Sequence, residues 1–206
     1  DDPVEKVDRQ SKKIITQKGI ELEYDICIFA TGSKAFVLPI EGSNLPSVIG
    51  WRTIQDTEQI IDIASKKKKA IVIGGGLLGL ECARGLLDQG MDVTVLHLAE
   101  WLMEMQLDRK AGDMLRADLE KQGMKFELQA NSKRIIGHED VEAVELADGR
   151  VIETDLVVMA VGIRPYTEVA KDAGLDVQRG IVVNDFLQTS DSNIYAIGEC
   201  AEHNGK

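Results

Sequence analysis

Few residues of this chain are aromatic, proline or cysteine, and long hydrophobic runs are missing. Aromatic residues make up 4% of its 206 positions, and it has four prolines and three cysteines. No run of about 18 apolar residues occurs, so no membrane-spanning helix is expected. The first ten residues, DDPVEKVDRQ, are polar and charged, which argues against a secretory signal. Because the chain starts on Asp-Asp-Pro without a methionine, we interpret it as a piece of a longer protein.

Basic residues are also in short supply. Lysine and arginine total 24 against 35 aspartates and glutamates, giving a net charge of −11, which argues against a nucleic-acid partner. The run Lys66–Lys69 is either a basic binding patch or, more commonly, a solvated helix end. The cysteines Cys27, Cys82 and Cys200 are far apart and form no C-x-x-C pair. We therefore expect no metal site, and inert thiols in a reducing cytoplasm.

One stretch, Ala70–Leu98, carries the strongest pattern. A β-branched run, Ile71–Ile73, is followed by three glycines, an apolar-periodic segment of helical length that closes at Gly90, and a second β-branched run over Val93–Leu96. This succession predicts a strand, a glycine turn, a helix and a second strand. It is the setting in which a G-x-G-x-x-G motif indicates dinucleotide binding.

The motif reads Gly74-x-Gly76-x-x-Gly79. Gly74 permits the tight turn, Gly76 lets the backbone approach a pyrophosphate, and Gly79 lets the helix pack closely on the sheet. The pyrophosphate would lie on free N–H groups at the helix N-terminus. The residues between the motif glycines are predicted to contact the cofactor as well: Gly75, Leu77 and Leu78. The alternative is an ordinary glycine-rich turn.

The rest of the chain predicts further strands and helices. Tyr24–Phe29 is typical of a strand covered on both faces. Residues 37–50, with their prolines and glycines, indicate an extended linker. Helices are predicted over Ile54–Ser65 and Asp108–Gln122 and, more briefly, over Thr167–Ala173. Short strands at 134–136, 141–146 and 151–152 predict an antiparallel insert with a hairpin turn at Asp148-Gly149, followed by a buried strand over 155–161.

Two other strands end in small residues. Ala30-Thr31-Gly32-Ser33 follows the strand predicted over Tyr24–Phe29, and Gly198-Glu199-Cys200 follows a strand predicted over Ile194–Ile197. Open α/β sheets bind ligands at the carboxyl ends of their strands. A carboxylate such as that of Glu199 is suited to accept hydrogen bonds from sugar hydroxyls. Each turn is also consistent with an ordinary strand exit.

Together these motifs resemble the pyridine nucleotide–disulfide oxidoreductase superfamily, flavoproteins with two dinucleotide sites. The resemblance is carried, in the family's order, by Ala30-Thr31-Gly32, the glycine motif, Val161-Gly162-Ile163-Arg164-Pro165 and residues 189–199. It implies an α/β fold: a Rossmann-like, three-layer NAD(P)-binding domain at 51–165, with parts of an FAD-binding domain at 1–36 and 166–206. The family's FAD glycine motif is absent from this chain, so we expect the chain alone to hold FAD poorly and to be inactive.

The resemblance also implies roles for single residues, none of them catalytic. FAD would contact Thr31, Gly32, Gly198 and Glu199. The nicotinamide pocket would include Val161 and Gly162, and Glu81 would reach towards the nicotinamide. Alternatively, Glu81 is a first-turn acid that favours the helix N-terminus.

Finer features resemble the large subunits of assimilatory NAD(P)H nitrite reductases, through residues 198–203 and Val95-Leu96-His97-Leu98. They imply hydride transfer from NAD(P)H to FAD in the intact protein, with electrons passing to a sirohaem and iron–sulfur nitrite-reducing site. Rubredoxin or ferredoxin reductases and NADH oxidases are the nearest alternatives, and a non-catalytic redox sensor is a further one. Expected partners are the rest of the full-length chain or an electron-acceptor protein, with a homodimer as an option.

The choice of nicotinamide depends on the end of the second strand of the motif. NAD-binding folds carry Asp or Glu there for the ribose hydroxyls, whereas this chain has His97, which suits either cofactor. Glu100 is a candidate for the ribose hydroxyls and would repel a 2′-phosphate. Arg109 lies well downstream. The sequence therefore favours NADH over NADPH.

Overall fold

The computed structural model describes residues 2–205, which form two compact units. Unit 1 combines the residues up to Lys34 with those from Ile163 onwards, and unit 2 spans Ala35–Gly162. Unit 1 contains β1 (Val4–Asp8), β2 (Lys13–Thr16), β3 (Glu21–Glu23), β4 (Cys27–Phe29), most of β5 (Ser33–Ala35), β14 (Ile163–Pro165), α4 (Glu168–Asp172), β15 (Ile181–Val183), β16 (Ile194–Ala196) and β17 (Ala201–His203).

Unit 2 is a three-layer α/β structure. Its elements are β6 (Val48–Gly50), α1 (Ile54–Ala64), β7 (Lys69–Ile73), α2 (Leu77–Asp88), β8 (Asp92–His97), α3 (Arg109–Lys121), β9 (Lys125–Leu128), β10 (Ser132–Gly137), β11 (Val141–Leu146), β12 (Val151–Glu153) and β13 (Leu156–Met159). Five parallel strands form the central sheet in the order β6-β13-β7-β8-β9. The predicted antiparallel insert, β10-β11-β12, forms a separate sheet.

Alternate residues of the central strands supply the two cores of unit 2. In β7, Val72 packs with residues of the three helices, whereas Ile71 and Ile73 pack with residues of the antiparallel sheet. In β13 the same alternation separates Val158 from Val157. Successive side chains of a strand point to opposite faces, so helices cover one face of the parallel sheet and the antiparallel sheet covers the other. The predicted three-layer fold is confirmed.

The linker prediction for residues 37–50 is wrong at its end. Val48–Gly50 is β6, which pairs in parallel with β13 at the edge of the central sheet. Ile49 is 5% exposed and belongs to the helix-side core. An edge strand of three residues that closely follows a proline is too short to show an alternating pattern, so its sequence does not distinguish it from a linker.

Unit 1 is built from small sheets. One sheet is antiparallel, β1-β2-β3, and the turn between β2 and β3 contains Gly19 (φ 78°). Two further pairs are parallel: β4 with β16, and β15 with β17. The expectation that Tyr24–Phe29 is a strand covered on both faces is wrong. Only Cys27–Phe29 forms the strand, and Ile28 is 57% exposed while Cys27 and Phe29 are buried. Within residues 2–205, this strand therefore has one covered face.

The longer helices begin in different ways. Thr53 and Asp56 form a capping box at α1, and the Asp108 side chain accepts a hydrogen bond from the Ala111 N–H at α3. At α2 the N-cap residue is Gly76, which has no side chain to cap the helix. Of these three helices, only α2 therefore starts with backbone N–H groups that no capping side chain satisfies.

Candidate functional site

Three predicted segments meet at the carboxyl edge of the central sheet. The Gly74 N–H donates to the Leu96 carbonyl at 2.8 Å, and the Ala160 N–H donates to the Ile73 carbonyl at 2.9 Å. Because β13, β7 and β8 are parallel neighbours, the residues that follow them share one edge. The glycine turn therefore lies between the exit of β8 at His97 and the exit of β13 at Val161-Gly162.

The glycine turn is closely packed on its protein side. Gly74 has φ 121°, and a Cβ there would lie 2.3 Å from the Ala160 carbonyl oxygen. A Cβ on Gly79 would lie 1.9 Å from the Gly74 carbonyl oxygen. These two positions require glycine for the backbone to turn and for α2 to approach the turn.

The other side of the turn is open. A Cβ on Gly76 would meet no atom within 4 Å, and the backbone there has φ −84°, which any residue adopts. The next two residues, Leu77 and Leu78, are 58% and 45% exposed. Open space before an uncapped helix N-terminus fits a pyrophosphate, which would accept hydrogen bonds from the first-turn N–H groups.

Gly75, between the first two motif glycines, is held by groups that are distant in the sequence. The Gly75 N–H donates to Nδ1 of His97 at 3.0 Å, and the Gly75 carbonyl accepts from the Met103 N–H at 3.0 Å. A Cβ on Gly75 would lie 2.7 Å from the His97 ring and 2.8 Å from the Leu102 side chain. The segment after β8 therefore packs against the turn and fixes its path.

His97 is buried, with 7% of its surface exposed, and both of its ring nitrogens have partners within the chain. Since Nδ1 accepts from Gly75, the proton of the neutral ring lies on Nε2, which donates to Oε2 of Glu104 at 2.9 Å. A direct contact between His97 and a cofactor stays a prediction. Glu104 was not among the predicted site residues.

Glu100 is paired with Arg109, the base that lies well downstream of it in the sequence. Its Oε2 accepts from Nη1 of Arg109 at 3.1 Å, and Asp113 lies 3.8 Å from the same guanidinium. Both Glu100 and Arg109 are more than half exposed. The turn after β8 and the first turn of α3 therefore bring a base next to the predicted ribose carboxylate.

Glu81 and Gly162 lie at different places in unit 2. Glu81 is the fifth residue of α2, which has no acidic residue in its first turn, so the alternative of a first-turn acid is wrong. It lines a shallow hollow of about 150 Å³ together with Trp51 and Thr57. Gly162 has φ 116° and open space around its Cβ position, and Val161 packs on the sheet-side core. Their proposed contacts with nicotinamide stay predictions.

Within unit 1, the two predicted FAD-contacting turns lie side by side. Strands β4 and β16 are parallel, and the Ile197 N–H donates to the Phe29 carbonyl at 2.9 Å as both strands end. Ser33 Oγ donates to Oε2 of Glu199 at 2.8 Å. Ser33 was not among the predicted site residues, although it belongs to the Ala-Thr-Gly-Ser turn that was singled out.

Both turns also have open positions. Gly32 and Gly198 have φ 65° and 71°, and no atom lies within 4 Å of a Cβ at either one. Thr31 Oγ1 donates to the Tyr166 carbonyl at 2.7 Å. The cluster thus combines open backbone with a carboxylate held by a buried serine, which fits the hydroxyl groups of a dinucleotide.

Three of the four lysines in the run Lys66–Lys69 form salt bridges with neighbouring carboxylates. Lys66 pairs with Asp62, Lys67 with Asp140, and Lys69 with Glu153. This arrangement supports the solvated helix end over a basic binding patch.

The three cysteines are free and buried. Burial raises the pKa of the Cys27 thiol, and it raises the pKa of the Cys82 thiol to about 12. Thiols with raised pKa values are poor nucleophiles, in line with the expectation of inert cysteines. Residues 2–205 contain no group of three or more His, Cys, Asp or Glu side chains placed to hold a metal ion. They also contain no helix long and apolar enough to cross a membrane.

Fold and site together define a dinucleotide-binding α/β protein. The chain belongs to the pyridine nucleotide-disulphide oxidoreductase family, whose model matches residues 1–206. It is 53% identical over 200 residues to an NAD(P)H nitrite reductase of Bacillus subtilis, covering 97% of this chain and 25% of that protein. It is 40% identical over 203 residues to an NADH oxidase of Methanocaldococcus jannaschii, covering 95% of this chain and 45% of that protein.

The fold has a close counterpart among solved structures. The crystal structure of a ferredoxin reductase from Rhodopseudomonas palustris matches with a TM-score of 0.94 and 32% identity, covering 98% of this chain and 50% of that one. The family binds FAD and NAD(P)H and consists of oxidoreductases, so the predicted family, the fold class and the two cofactors, FAD and NAD(P)H, are confirmed, while the preference for NADH stays a prediction. The chain spans between a quarter and half of the length of these three proteins.

Proposed function

We propose that this chain is the nicotinamide-binding part of an NAD(P)H-dependent flavoprotein that reduces nitrite. The observation that carries the proposal is the asymmetry of the glycine turn. Gly74 and Gly79 are closely packed against protein atoms, while Gly76 faces open space before an uncapped helix. An uncapped first helical turn beside an open backbone position is the arrangement by which a helix N-terminus binds a pyrophosphate.

Unit 2, continued to residue 165, would be the NAD(P)-binding domain. Its backbone N–H groups at Gly76, Leu77 and Leu78 would hold the pyrophosphate, as helix N-termini do. Val161 and Gly162 follow the neighbouring strand and would line the nicotinamide end, with Glu81 further along α2. The bound cofactors would supply the chemistry, a hydride transfer from nicotinamide C4 to flavin N5, and the protein would position them.

Unit 1 would supply part of the FAD-binding domain through Thr31, Gly32, Gly198 and Glu199. The hydrogen bond between Ser33 and Glu199 supports this proposal, because it holds a carboxylate at the shared end of two parallel strands. A redox sensor that needs only a nicotinamide site would not require such a cluster, so the cluster favours the flavoprotein over the sensor.

The electron acceptor is proposed from the relatives. Similarity to a nitrite reductase at 53% identity favours nitrite, whereas the NADH oxidase at 40% identity offers the second candidate, an oxidase. We further propose a cytoplasmic protein that works with the rest of its own chain or an electron-acceptor protein, and that can form a homodimer. Three unpaired cysteines support a reducing compartment.

The test compares Gly76→Ala with Gly85→Ala in the full-length protein that contains this chain. The Cβ position is open at both sites, so both variants should fold. A methyl group at Gly76 would lie where the pyrophosphate approaches, and we expect it to weaken binding of NAD⁺ and NADP⁺ by roughly tenfold or more. Gly85→Ala, more than two turns along α2, should bind as the unmodified protein does.

Isothermal titration calorimetry with the oxidised nucleotides measures binding without turnover. Unchanged affinity in Gly76→Ala would contradict the proposed pyrophosphate site. Steady-state oxidation of NADH with nitrite or with oxygen as acceptor then separates the reductase from the oxidase.

A further inference from the structure

The end of β8 lacks the acidic residue that binds the ribose in most NAD-binding folds. In NAD-binding folds an acidic side chain at the last residue of this strand accepts hydrogen bonds from the ribose hydroxyls. Here the position is His97, which is 7% exposed and has both ring nitrogens engaged inside the protein. The imidazole is therefore poorly placed to accept further hydrogen bonds from a ribose.

A carboxylate is nevertheless held at this end of the strand. Oε2 of Glu104 lies 2.9 Å from Nε2 of His97, whose Nδ1 in turn accepts from the Gly75 N–H. One imidazole ring thus connects this carboxylate to the glycine turn. The Glu104 side chain is 34% exposed, and its second oxygen is not used by the bond to His97. A carboxylate has about four acceptor positions, so Glu104 can still accept from a ligand.

The loop that carries Glu104 is fixed in place. Leu102 is fully buried, the Met103 N–H donates to the Gly75 carbonyl, and Met103 itself has a left-handed backbone (φ 58°). These contacts precede Glu104 directly, so its carboxylate is held from both the backbone and the His97 side.

We propose that His97 and Glu104 together replace the single acidic residue that other NAD-binding folds carry at this strand end. Glu104 accepts hydrogen bonds from the ribose hydroxyls and disfavours a 2′-phosphate. The inference rests on the proposed nicotinamide site. His97 is a positioning residue, and Glu104 determines the preference for NADH. A carboxylate next to a 2′-phosphate adds like-charge repulsion, which selects against NADPH.

Glu100 is the competing candidate for this role. It is 52% exposed, and its carboxylate already pairs with Arg109 at 3.1 Å, whose positive charge offsets its own. Asp113 shares that guanidinium, so Arg109 is held by two carboxylates and is less free to bind a 2′-phosphate. The Glu100 carboxylate is thus already engaged by a guanidinium, whereas one oxygen of Glu104 is not used by its bond to His97.

The experiment measures Kd for NAD⁺ and NADP⁺ by calorimetry in the full-length protein. Glu104→Gln removes the charge but keeps an oxygen that can accept from His97. We expect it to weaken NAD⁺ binding about tenfold, the loss of a hydrogen bond to a charged acceptor. NADP⁺ affinity should stay the same or improve, so that the preference for NAD⁺ falls by at least that factor. Glu139→Gln, an exposed glutamate on the β10–β11 turn, is the matched control and should change neither Kd by more than twofold.

His97→Asn tests the positioning role. Its side-chain oxygen can still accept from Gly75, but it cannot reach Glu104, so NAD⁺ affinity should fall as in Glu104→Gln while NADP⁺ affinity is kept. An equal loss of affinity for both nucleotides would indicate a disturbed glycine turn and would overturn the positioning role. Retained NAD⁺ affinity in either variant would overturn the proposal. A loss of preference in Glu100→Gln instead, or tighter binding of NADP⁺ than of NAD⁺ by the unmodified protein, would also overturn it. If the unmodified protein binds neither nucleotide, the proposed function itself fails, which is a different result.

Discussion

Gly79 and Gly85 lie on the same helix in opposite surroundings, and this contrast gives a sharp test of the fold. At Gly79 an added Cβ would come within 1.9 Å of the Gly74 carbonyl oxygen and 2.9 Å of its carbon. At Gly85 it would meet nothing within 4 Å. Both positions are inside α2, so replacing each glycine by alanine changes the helix propensity in the same direction.

The expected magnitudes follow from these two environments. Gly85→Ala should raise the free energy of unfolding by about 0.5–1 kcal/mol, the gain in helix propensity. Gly79→Ala receives the same gain, but α2 must withdraw from the glycine turn because the new contact would be with rigid backbone. Overpacking of this kind costs about 1–3 kcal/mol. Gly79→Ala should therefore be less stable than Gly85→Ala by about 1–3 kcal/mol, a difference in which propensity cancels.

Urea unfolding followed by tryptophan fluorescence measures this difference. The two tryptophans, Trp51 and Trp101, both belong to unit 2, so the signal reports on the unit that contains α2. The slope of free energy against urea should be the same in both variants, which shows that only stability has changed. Equal midpoints, or a higher midpoint for Gly79→Ala, would refute the close packing of α2 on the turn.

Two further predictions concern charge and thiols in the same chain. Partial burial pushes the pKa of Asp140 upward, but hydrogen bonds from Lys67 and Ser47 outweigh it and lower the pKa to about 2. A lowered pKa adds stability that is complete above the unfolded value, near 3.8, and is lost as pH falls towards 2. Asp140 is 39% exposed, so after allowance for screening Asp140→Asn should cost about 1 kcal/mol at pH 7. Urea unfolding should show this cost shrinking between pH 4 and about 2; a constant cost would contradict the ion pair. Separately, Ellman's reagent should label none of the three buried cysteines rapidly in the folded chain at pH 8 and all three in urea. Rapid labelling of Cys82 in the folded chain would contradict its burial and its pKa of about 12.

The sequence predicts a helix, strand or turn correctly where the local periodicity and the backbone preferences of the residues agree. Ile71–Ile73, the glycines and the apolar face of α2 each predict the observed element, and Asp148-Gly149 forms the predicted hairpin turn with Gly149 at φ 90°. The insert β10-β11-β12 followed from the same rules. These features depend on residues within a few positions of each other, which a single sequence shows directly.

The remaining features depend on contacts between distant residues. Ser33 and Glu199 are far apart in the sequence, and their hydrogen bond exists because β4 and β16 pair in parallel. Glu104 reaches His97 because the loop after β8 turns through a left-handed residue at Met103. A left-handed methionine is uncommon, and no local pattern predicts it. The missing acid at His97 is therefore visible in the sequence, whereas the carboxylate beside it is not.

The loop after β8 also explains why residue 75 is a glycine. In the motif, the position of Gly75 is free to be any residue, yet here a Cβ would contact both His97 and Leu102 within 2.8 Å. Its N–H and its carbonyl are both bonded to the segment after β8. Packing against His97 and Leu102 therefore requires glycine at position 75. Because the imidazole that fills the strand end also holds Gly75, a change at either residue alters the fit of the other, so Gly75 and His97 form one structural unit within the motif.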